Sequence, residues 1–284
     1  MSDKKLFPMR FAHRGLVQYA PENTVGAFQA AVDCGCEGIE LDLRLSKDGV
    51  PMVVHDTSLR RLSDGKAPFE IRDMTAAEIM AVDIPYAGHL LPHNPPVPYS
   101  ESVGSVAVYT EEELAEQRAA DKRITHIFTF ADFDKWFSGI SADIIVEVEF
   151  CAPGLMAPVY EVLRNSPNCG RYILFSGNDD CNEEIQSFLR EHGKPDGLRL
   201  GANIRRLTDK NREFVLSADL YEVGLNDQWF TKEDVDFLAE RGIKVFSNLG
   251  DYPEWWASLA PLGVEAFKTN YAEAYTEWLE GENA

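Results

Sequence analysis

The chain has 284 residues, of which 45% are hydrophobic and 26% charged, enough for a large core in one barrel domain or two smaller domains. Its formal net charge of -20 disfavours nucleic acid and anionic membranes as partners, because like charges repel. We expect no membrane span, because no run approaches ~20 apolar residues, and no secretory signal is visible. The five cysteines form no CxxC pair, so we expect reduced thiols, no zinc-like cluster and a cytoplasmic location.

Short β-rich runs alternate along the chain with longer segments of helical periodicity. A return strand in VPMVVHD follows the second of these runs, after the turn SKDG. Eight strand–helix units predict an α/β fold, a (β/α)8 TIM barrel forming a single domain over 1–284. An open doubly wound sheet is the alternative, and the lack of a G-x-G-x-x-G after the first strand disfavours its dinucleotide-binding form. The predicted barrel strands span 9–13, 38–45, 142–150, 171–177, 196–201, 218–224, 243–248 and 264–269.

A long irregular stretch interrupts this rhythm after the second strand and its return. It includes DIPYAGHLLPHNPPVPYSESVGS, with five prolines between Pro85 and Pro98, which indicates a loop and not a regular element. We predict that residues 84–126 form a small insertion packed on the barrel rim, where it would act as a lid or border of the mouth.

The polar residues that end the predicted strands are the candidates for chemistry, because active sites of such barrels lie at the C-terminal ends of the strands. Residues two apart on a strand share a face, so Glu40 projects with Asp42, and Glu147 projects with Glu149. Burying these acids is costly unless a cation or hydrogen bonds compensate, which suggests a divalent metal such as Mg²⁺ or Ca²⁺. Pairing of each acid with a nearby arginine or lysine is an equally open interpretation.

Two histidines end strands beside ion-pair formers, His13 next to Arg14 and His55 next to Asp56. This setting favours them as acid/base candidates over the remaining histidines, which lie in loop or surface segments. Arg14 is suited to gripping a phosphate through two N–H groups, and Gly15 lets the backbone turn tightly beside it. A simple salt bridge is the alternative for Arg14.

Taken together, these residues resemble the glycerophosphodiester phosphodiesterase family. The resemblance is carried by H-R-G at 13–15, P-E-N-T at 21–24, I-E-L-D at 39–42, K-D-G at 47–49 and H-D at 55–56, with weaker similarity downstream. It implies that Glu40, Asp42 and Glu147 bind the metal, and that His13 and His55 serve as general acid and base. It also implies that Arg14 holds the phosphodiester, whereas Glu22 and Asn23 orient the loop. The division of roles between the two histidines stays open.

The chain also departs from the family pattern. The family carries Glu-x-Lys on the third acidic strand, and this sequence reads Glu147-Val148-Glu149. We expect Glu149 to line the site and to need compensation, by a second metal, by protonation, or by pairing with Arg205, Arg206 or Lys268. Lys268, near the end of the last strand, is the attractive candidate among these cations, and the choice stays open. Asn270 and Ala272 replace an expected Asp and Pro, and the strand end at Phe246 differs on the side of the leaving group.

The function that follows is metal-dependent hydrolysis of a small glycerophosphodiester to an alcohol and glycerol 3-phosphate. Two alternatives are lysophospholipase D-like cleavage of a lipid head group and a non-catalytic ligand-binding barrel, the latter motivated by Glu149. The sequence leaves the released alcohol, the metal and the oligomeric state open.

Overall fold

The computed structural model describes residues 8–86, 112, 116, 120–204, 206–225, 230–251 and 253–282. Its centre is a closed barrel of parallel strands, in which the first strand pairs with both the second and the last. The predicted TIM barrel is therefore confirmed. The barrel strands are β1 (Met9–His13), β2 (Gly38–Leu45), β6 (Ile145–Phe150), β7 (Tyr172–Phe175), β8 (Arg199–Asn203), β9 (Glu222–Leu225), β10 (Lys244–Ser247) and β11 (Ala266–Thr269).

Helices follow the barrel strands, and threonine side chains begin several of them. Thr129, Thr208 and Thr231 each accept a hydrogen bond from the backbone of the first turn, and the residue three positions later caps the threonine in return. These caps fix where the chain turns back after a strand. The helices are α1 (Val25–Asp33), α2 (Ala76–Met80), α3 (Phe130–Phe137), α4 (Met156–Leu163), α5 (Asp179–His192), α6 (Asp209–Ser217), α7 (Lys232–Ala239), α8 (Pro253–Leu259) and α9 (Ala272–Glu282).

The alternation of side chains along the strands produces two apolar layers. Ile39, Leu41 and Leu43 of β2 point outward and pack in the large cluster between barrel and helices. The inward side chains form a smaller cluster inside the barrel, made of Met9, Phe11, Ile173, Phe246 and Ala266. These apolar side chains fill the barrel interior below its C-terminal mouth. The inward polar residues of β2, Glu40 and Asp42, lie nearer to the mouth.

Between β2 and β6 the chain leaves the barrel and builds a second, smaller apolar core. β3 (Pro51–Val53) returns antiparallel to β2, as predicted, and residues from Met52 to Ile84 pack with Ile127. β4 (Ile84–Pro85) and β5 (Ile124–Thr125) pair antiparallel, so the two ends of the predicted 84–126 insertion are joined. Most of that insertion lies outside the described residues, and its role as a rim or lid stays a prediction.

The helices of the described residues are short or polar. None of them combines the length and the apolar character that crossing a lipid bilayer requires.

Candidate active site

The parallel register of the first strands brings the candidate residues to the same mouth of the barrel. β1 ends at His13, which lies opposite Glu40 of β2. β2 and β6 then align Glu40 with Glu147 and Asp42 with Glu149. Because inward and outward side chains alternate in all three strands, these side chains enter the barrel at successive heights.

Three carboxylates converge at the upper height. Oxygens of Glu40, Asp42 and Glu149 lie within 4.8 Å of one another. Burial and the neighbouring Asp42 raise the pKa of Glu40 well above its usual range, and the same two causes raise the pKa of Glu149 to about 7. Such a group is strained by mutual repulsion, and a hard divalent cation would relieve it. The donor set therefore fits the metal that the sequence suggested.

Asp42 is the member of this group that is held ionised. Burial acts to raise its pKa, but Arg14, followed by His55 and His13, outweighs burial and lowers it. Its Oδ2 accepts a hydrogen bond from Asn23 Nδ2 at 2.8 Å and lies 3.2 Å from Arg14 Nε. One oxygen of the carboxylate is thus fixed by the loop after β1, and the other, Oδ1, accepts a hydrogen bond from Cys151 Sγ at 3.4 Å.

The loop after β1 holds its position through two strained residues. Arg14 and Asn23 both have a positive φ, +58° and +56°, which is uncommon for residues with a Cβ. The Asn23 N–H donates to the Arg14 carbonyl at 2.9 Å, and the Arg14 N–H donates to Glu40 Oε2 at 3.0 Å. These two hydrogen bonds hold the backbone in this conformation and direct the loop towards the carboxylates of β2.

Glu22 ties this loop to the segment after β3. It accepts a hydrogen bond from Arg14 Nη1 at 3.0 Å and two from Arg61 at 2.8 Å. Burial acts to raise the pKa of Glu22, but the two guanidinium groups outweigh it and lower the pKa. The result agrees with the expectation that Glu22 and Asn23 orient the loop.

His13 is oriented by a chain of polar side chains from the opposite edge of β1. Its Nδ1 lies 2.9 Å from Asn270 Oδ1, and Asn270 in turn donates from its backbone and side chain to Asp251 at 2.8 and 2.9 Å. Because Asp251 takes the amide N–H, the amide oxygen faces the ring, and His13 must carry its hydrogen on Nδ1. Burial, aided by Arg14, lowers the pKa of His13 to about 3, so the ring is neutral with Nε2 unprotonated.

His55 is oriented in a different way, by a charged partner. Its Nδ1 lies 2.9 Å from Asp56 Oδ1, and Arg61 Nε donates to the second oxygen of Asp56 at 2.8 Å. The His55 side chain is 39% exposed, so it meets solvent at the mouth. A carboxylate behind the ring stabilises an imidazolium during proton transfer. The two histidines therefore differ in charge environment.

Glu147, expected from the resemblance to be the third metal acid, is placed elsewhere. Its Oε1 lies 3.0 Å from Lys268 Nζ, and both side chains are almost completely buried. The Lys268 ammonium lies 4.0 Å from the centre of the Phe175 ring, and burial, which lowers its pKa, is outweighed by Glu147 and Glu222, so the pKa rises to about 12. Lys268 thus partly compensates Glu147 beneath the acids of the mouth, where burial outweighs the ammonium group and raises the pKa of Glu147.

Glu149 and Phe246 also differ from their expected settings. Glu149 is the third member of the acid group, the place that the resemblance implied for Glu147. Phe246, expected beside the leaving group, is fully buried and packs against Phe11 inside the barrel, with ring centroids 5.0 Å apart.

Sequence reasoning missed three contributors to this mouth. Asp251 acts on Asn270, 19 positions further along the chain, so no local pattern indicates this contact. Arg61 lies only five positions after its partner Asp56, and that spacing was a signal. Cys151 did carry a signal, because it follows Glu149 by two residues and continues the same face of the strand.

The closed barrel of eight parallel strands, with acids and two oriented imidazoles at its C-terminal mouth, places the chain in the class of TIM-barrel proteins. Within that class, the sequence model of the glycerophosphoryl diester phosphodiesterase family matches residues 13–149, and the resemblance to this family is thereby confirmed.

Known relatives support the same assignment over part of the chain. A glycerophosphodiester phosphodiesterase of Caldanaerobacter subterraneus is 43% identical over 72 residues, 25% of this chain and 29% of that protein. One from Bacillus altitudinis is 36% identical over 106 residues, 37% of this chain and 38% of that protein. The matching segment therefore spans well under two thirds of either relative.

The whole fold has a counterpart among solved structures. An Oleispira antarctica phosphodiesterase, solved in complex with its product sn-glycerol-3-phosphate, has a TM-score of 0.73 at 20% identity. The similarity covers 96% of this chain and 97% of that one, and it concerns the fold.

Proposed function

We propose that this protein hydrolyses glycerophosphodiesters to an alcohol and glycerol 3-phosphate in a metal-dependent reaction. The observation that carries the proposal is the arrangement at the mouth, where three carboxylates converge and two imidazoles are each oriented through Nδ1 by a different polar partner. The motif match over residues 13–149 supports the same reaction class.

Glu40, Asp42 and Glu149 would hold the divalent metal, Mg²⁺ or Ca²⁺. When bound, it supplies positive charge that neutralises the phosphoryl oxygens. The choice of Glu149 over Glu147 follows from their contacts, since Glu147 is committed to Lys268. Glu149 motivated the alternative of a non-catalytic barrel, and its place in the acid group supports a metal-binding role for it instead.

His13 is the proposed general base. With its hydrogen on Nδ1 directed at Asn270, the unprotonated Nε2 is available to take a proton from the nucleophile, either the glycerol 2-hydroxyl or a water. Asn270 and Asp251 keep the ring in this tautomer, as the buried aspartate does for the histidine of a Ser–His–Asp triad.

His55 is the proposed general acid. Its partner Asp56 is fixed by Arg61, so the ring can carry a proton on both nitrogens and give the Nε2 proton to the leaving alcohol. The partial exposure of His55 places it on the solvent side, where an alcohol group of variable size departs.

Arg14 is proposed to face the phosphodiester with its guanidinium while Glu22 and Asp42 hold the group in place. Its backbone N–H donates to Glu40, so the same residue also fixes one metal acid. Arg14 would therefore contact the phosphodiester through its guanidinium and the metal site through its backbone N–H.

The test is an assay of alcohol release from a panel of glycerophosphodiesters, with lysophosphatidylcholine included, before and after chelation. We expect turnover that chelation abolishes and that Mg²⁺, Ca²⁺ or Mn²⁺ restores. Turnover that is indifferent to chelators would exclude the metal role, and faster turnover of lysophosphatidylcholine would favour a lipid head-group reaction.

His192→Ala is the matched control for variants of His13 and His55. His192 lies at the end of α5, where it stacks on Phe188 outside the mouth. Its loss should leave turnover unchanged, which separates the effect of removing a site imidazole from that of removing any imidazole.

A further inference from the structure

Two asparagines face the barrel mouth from the side opposite the acids. Asn203 ends β8, in which Ala202 points outward, and Asn248 follows the inward Phe246 of β10 by two residues. The Asn248 N–H still pairs with the Leu225 carbonyl of β9 at 2.9 Å. Because side chains alternate between the two faces of a strand, both amides point inward near the mouth.

Two glycines of the same inward face give these amides their room. A side-chain carbon at Gly224 of β9 would lie 1.8 Å from Asn203 Oδ1 and 3.1 Å from Asn248 Oδ1. The missing side chain therefore leaves a place for the first oxygen, with the second beside it. A side-chain carbon at Gly177, after β7, would lie 3.8 Å from Asn203 Cβ and 3.7 Å from Glu149 Oε1. Gly177 thus lies between the amides and the acid group.

The two amide oxygens are buried and lack a hydrogen-bond partner among the described residues, which omit 205, 226–229 and 252 in this neighbourhood. An unpaired buried acceptor costs free energy, so such a group in a native protein calls for a specific partner such as a bound molecule. Two carboxamides suit a hydroxyl group. One amide oxygen accepts the O–H, and the other amide, turned by half a rotation, donates an N–H to the same hydroxyl oxygen.

We infer that Asn203 and Asn248 bind the terminal hydroxyl of the glycerol group and thereby select glycerophosphodiesters over other phosphodiesters. This inference rests on the proposed function, in which His13 acts on the nucleophile and His55 on the leaving alcohol. β11 alone separates β10 from β1, so Asn248 lies on the side of the mouth that carries His13. His55 follows β3, which pairs with β2 on the other side, so the released alcohol leaves away from the amides.

The test compares kcat/KM for a glycerophosphodiester and for its 1-deoxy analogue, which keeps the 2-hydroxyl but lacks the terminal hydroxyl. The unaltered chain should prefer the glycerol compound at least ~10-fold, because the analogue leaves the amides unpaired. Asn203→Ala and Asn248→Ala should each reduce this preference to ~3-fold or less, mainly by slowing the glycerol compound. A preference that survives in both variants would overturn the inference.

Asn165→Ala is the matched control for these variants. Asn165 donates to the Glu161 carbonyl at 3.1 Å on the protein surface, so its loss should leave the preference unchanged. The variants at the mouth should fold, because the oxygens that they remove have no partner among the described residues, and circular dichroism checks this. A second pair of diesters, whose alcohol carries or lacks a hydroxyl, tests the other source of such a group. A preference that followed this hydroxyl and not that of glycerol would overturn the inference.

Calorimetry with glycerol 3-phosphate and its 1-deoxy analogue, in the presence of Mg²⁺, separates this inference from the proposed function. Tighter binding of glycerol 3-phosphate that is lost in Asn203→Ala and Asn248→Ala would support the role of the amides even if no diester were turned over. That absence of turnover would contradict the proposed function alone. Equal binding of the two compounds by an unaltered chain that hydrolyses diesters would overturn the role of the amides and leave the proposed function intact.

Discussion

Glu149 lies opposite Asp42 in the parallel register of β2 and β6, whereas Glu147 lies opposite Glu40 one step lower. Only the upper residue of β6 joins Glu40 and Asp42 in the three-acid group, and the lower one pairs with Lys268. Two glutamates on the same face of one strand therefore have different partners, the acid group for Glu149 and Lys268 for Glu147.

The first prediction concerns the different effects of replacing Glu149 and Glu147. Glu149→Gln should weaken divalent-metal binding at least ~10-fold, because it removes an anionic oxygen from the group. Glu147→Gln should leave metal affinity within ~2-fold but lower the free energy of unfolding, because Lys268 loses its ion-pair partner in the interior. Calorimetric metal titration and chemical denaturation of both variants provide the measurements. Equal loss of metal affinity in the two variants would contradict the assignment.

The second prediction concerns the division of labour between the histidines. His13→Ala and His55→Ala should each lower turnover of a glycerophosphodiester with an alkyl alcohol by ~10²–10⁴-fold. A substrate with a nitrophenol leaving group needs no general acid, so it should restore most of the rate in His55→Ala and little in His13→Ala. Steady-state kinetics on the two substrates measure the difference. The reverse pattern of rescue would exchange the two roles.

The third prediction concerns the buried pair of Glu147 and Lys268. Lys268→Met leaves Glu147 without its cation and should cost about 3–5 kcal/mol of the free energy of unfolding. Adding Glu147→Gln to that variant removes the isolated charge, so the double variant should be more stable than the sum of the two single losses predicts, by about 0.5–3 kcal/mol. A thermodynamic cycle from urea denaturation gives this coupling energy, and a value of zero would show that the pair is not an interacting unit.

The fourth prediction concerns stability in acid. The pKa of Glu22 is lowered in the folded chain, because Arg14 and Arg61 outweigh the opposing effect of burial. Its contribution to stability is therefore present above the ordinary pKa of a glutamate and is lost as the pH falls through the lowered value.

Glu22→Gln should accordingly be less stable than the unaltered chain near neutral pH and show a flatter decline from about pH 5 downwards. Denaturation series in the presence of chelator, at descending pH, measure the two curves. Glu161→Gln is the matched control, since Glu161 makes a solvent-exposed pair with Arg164 at 2.7 Å and should change neither curve. If the free energy of unfolding fell equally steeply below pH ~5 in Glu22→Gln and in the unaltered chain, the ion pairs of Glu22 would not contribute to acid stability.

The barrel could be predicted from sequence because its signal is local and repeated. Each strand is a short β-rich run, and several of the following helices begin with a side-chain cap, so eight units can be recognised without tertiary information. The region between β2 and β6 was harder to predict. Its small core starts at Met52, well before the predicted insertion, because apolar residues there form irregular segments that are stabilised by one another.

The candidate site was predictable where its residues lie close together in one motif. His13, Arg14, Glu40 and Asp42 fall on two adjacent strands and their loop, and the structure gathers them. The choice between Glu147 and Glu149 was not predictable, because a period of two allows both, and the stagger between strands decides which one reaches the group. The pairing of Glu147 with Lys268 joins residues that are far apart in sequence, so no local pattern indicates it.

The apolar filling of the barrel interior has a consequence for how molecules would enter and leave. Met9, Phe11, Ile173, Phe246 and Ala266 fill the barrel below the polar residues, so these side chains do not leave an open channel through the barrel from its other end. Substrate and product must then pass through the same opening in turn. Under the proposed function, glycerol 3-phosphate keeps the phosphate of the diester, so it should compete with the diester for the empty site and raise the apparent KM without lowering the maximal rate.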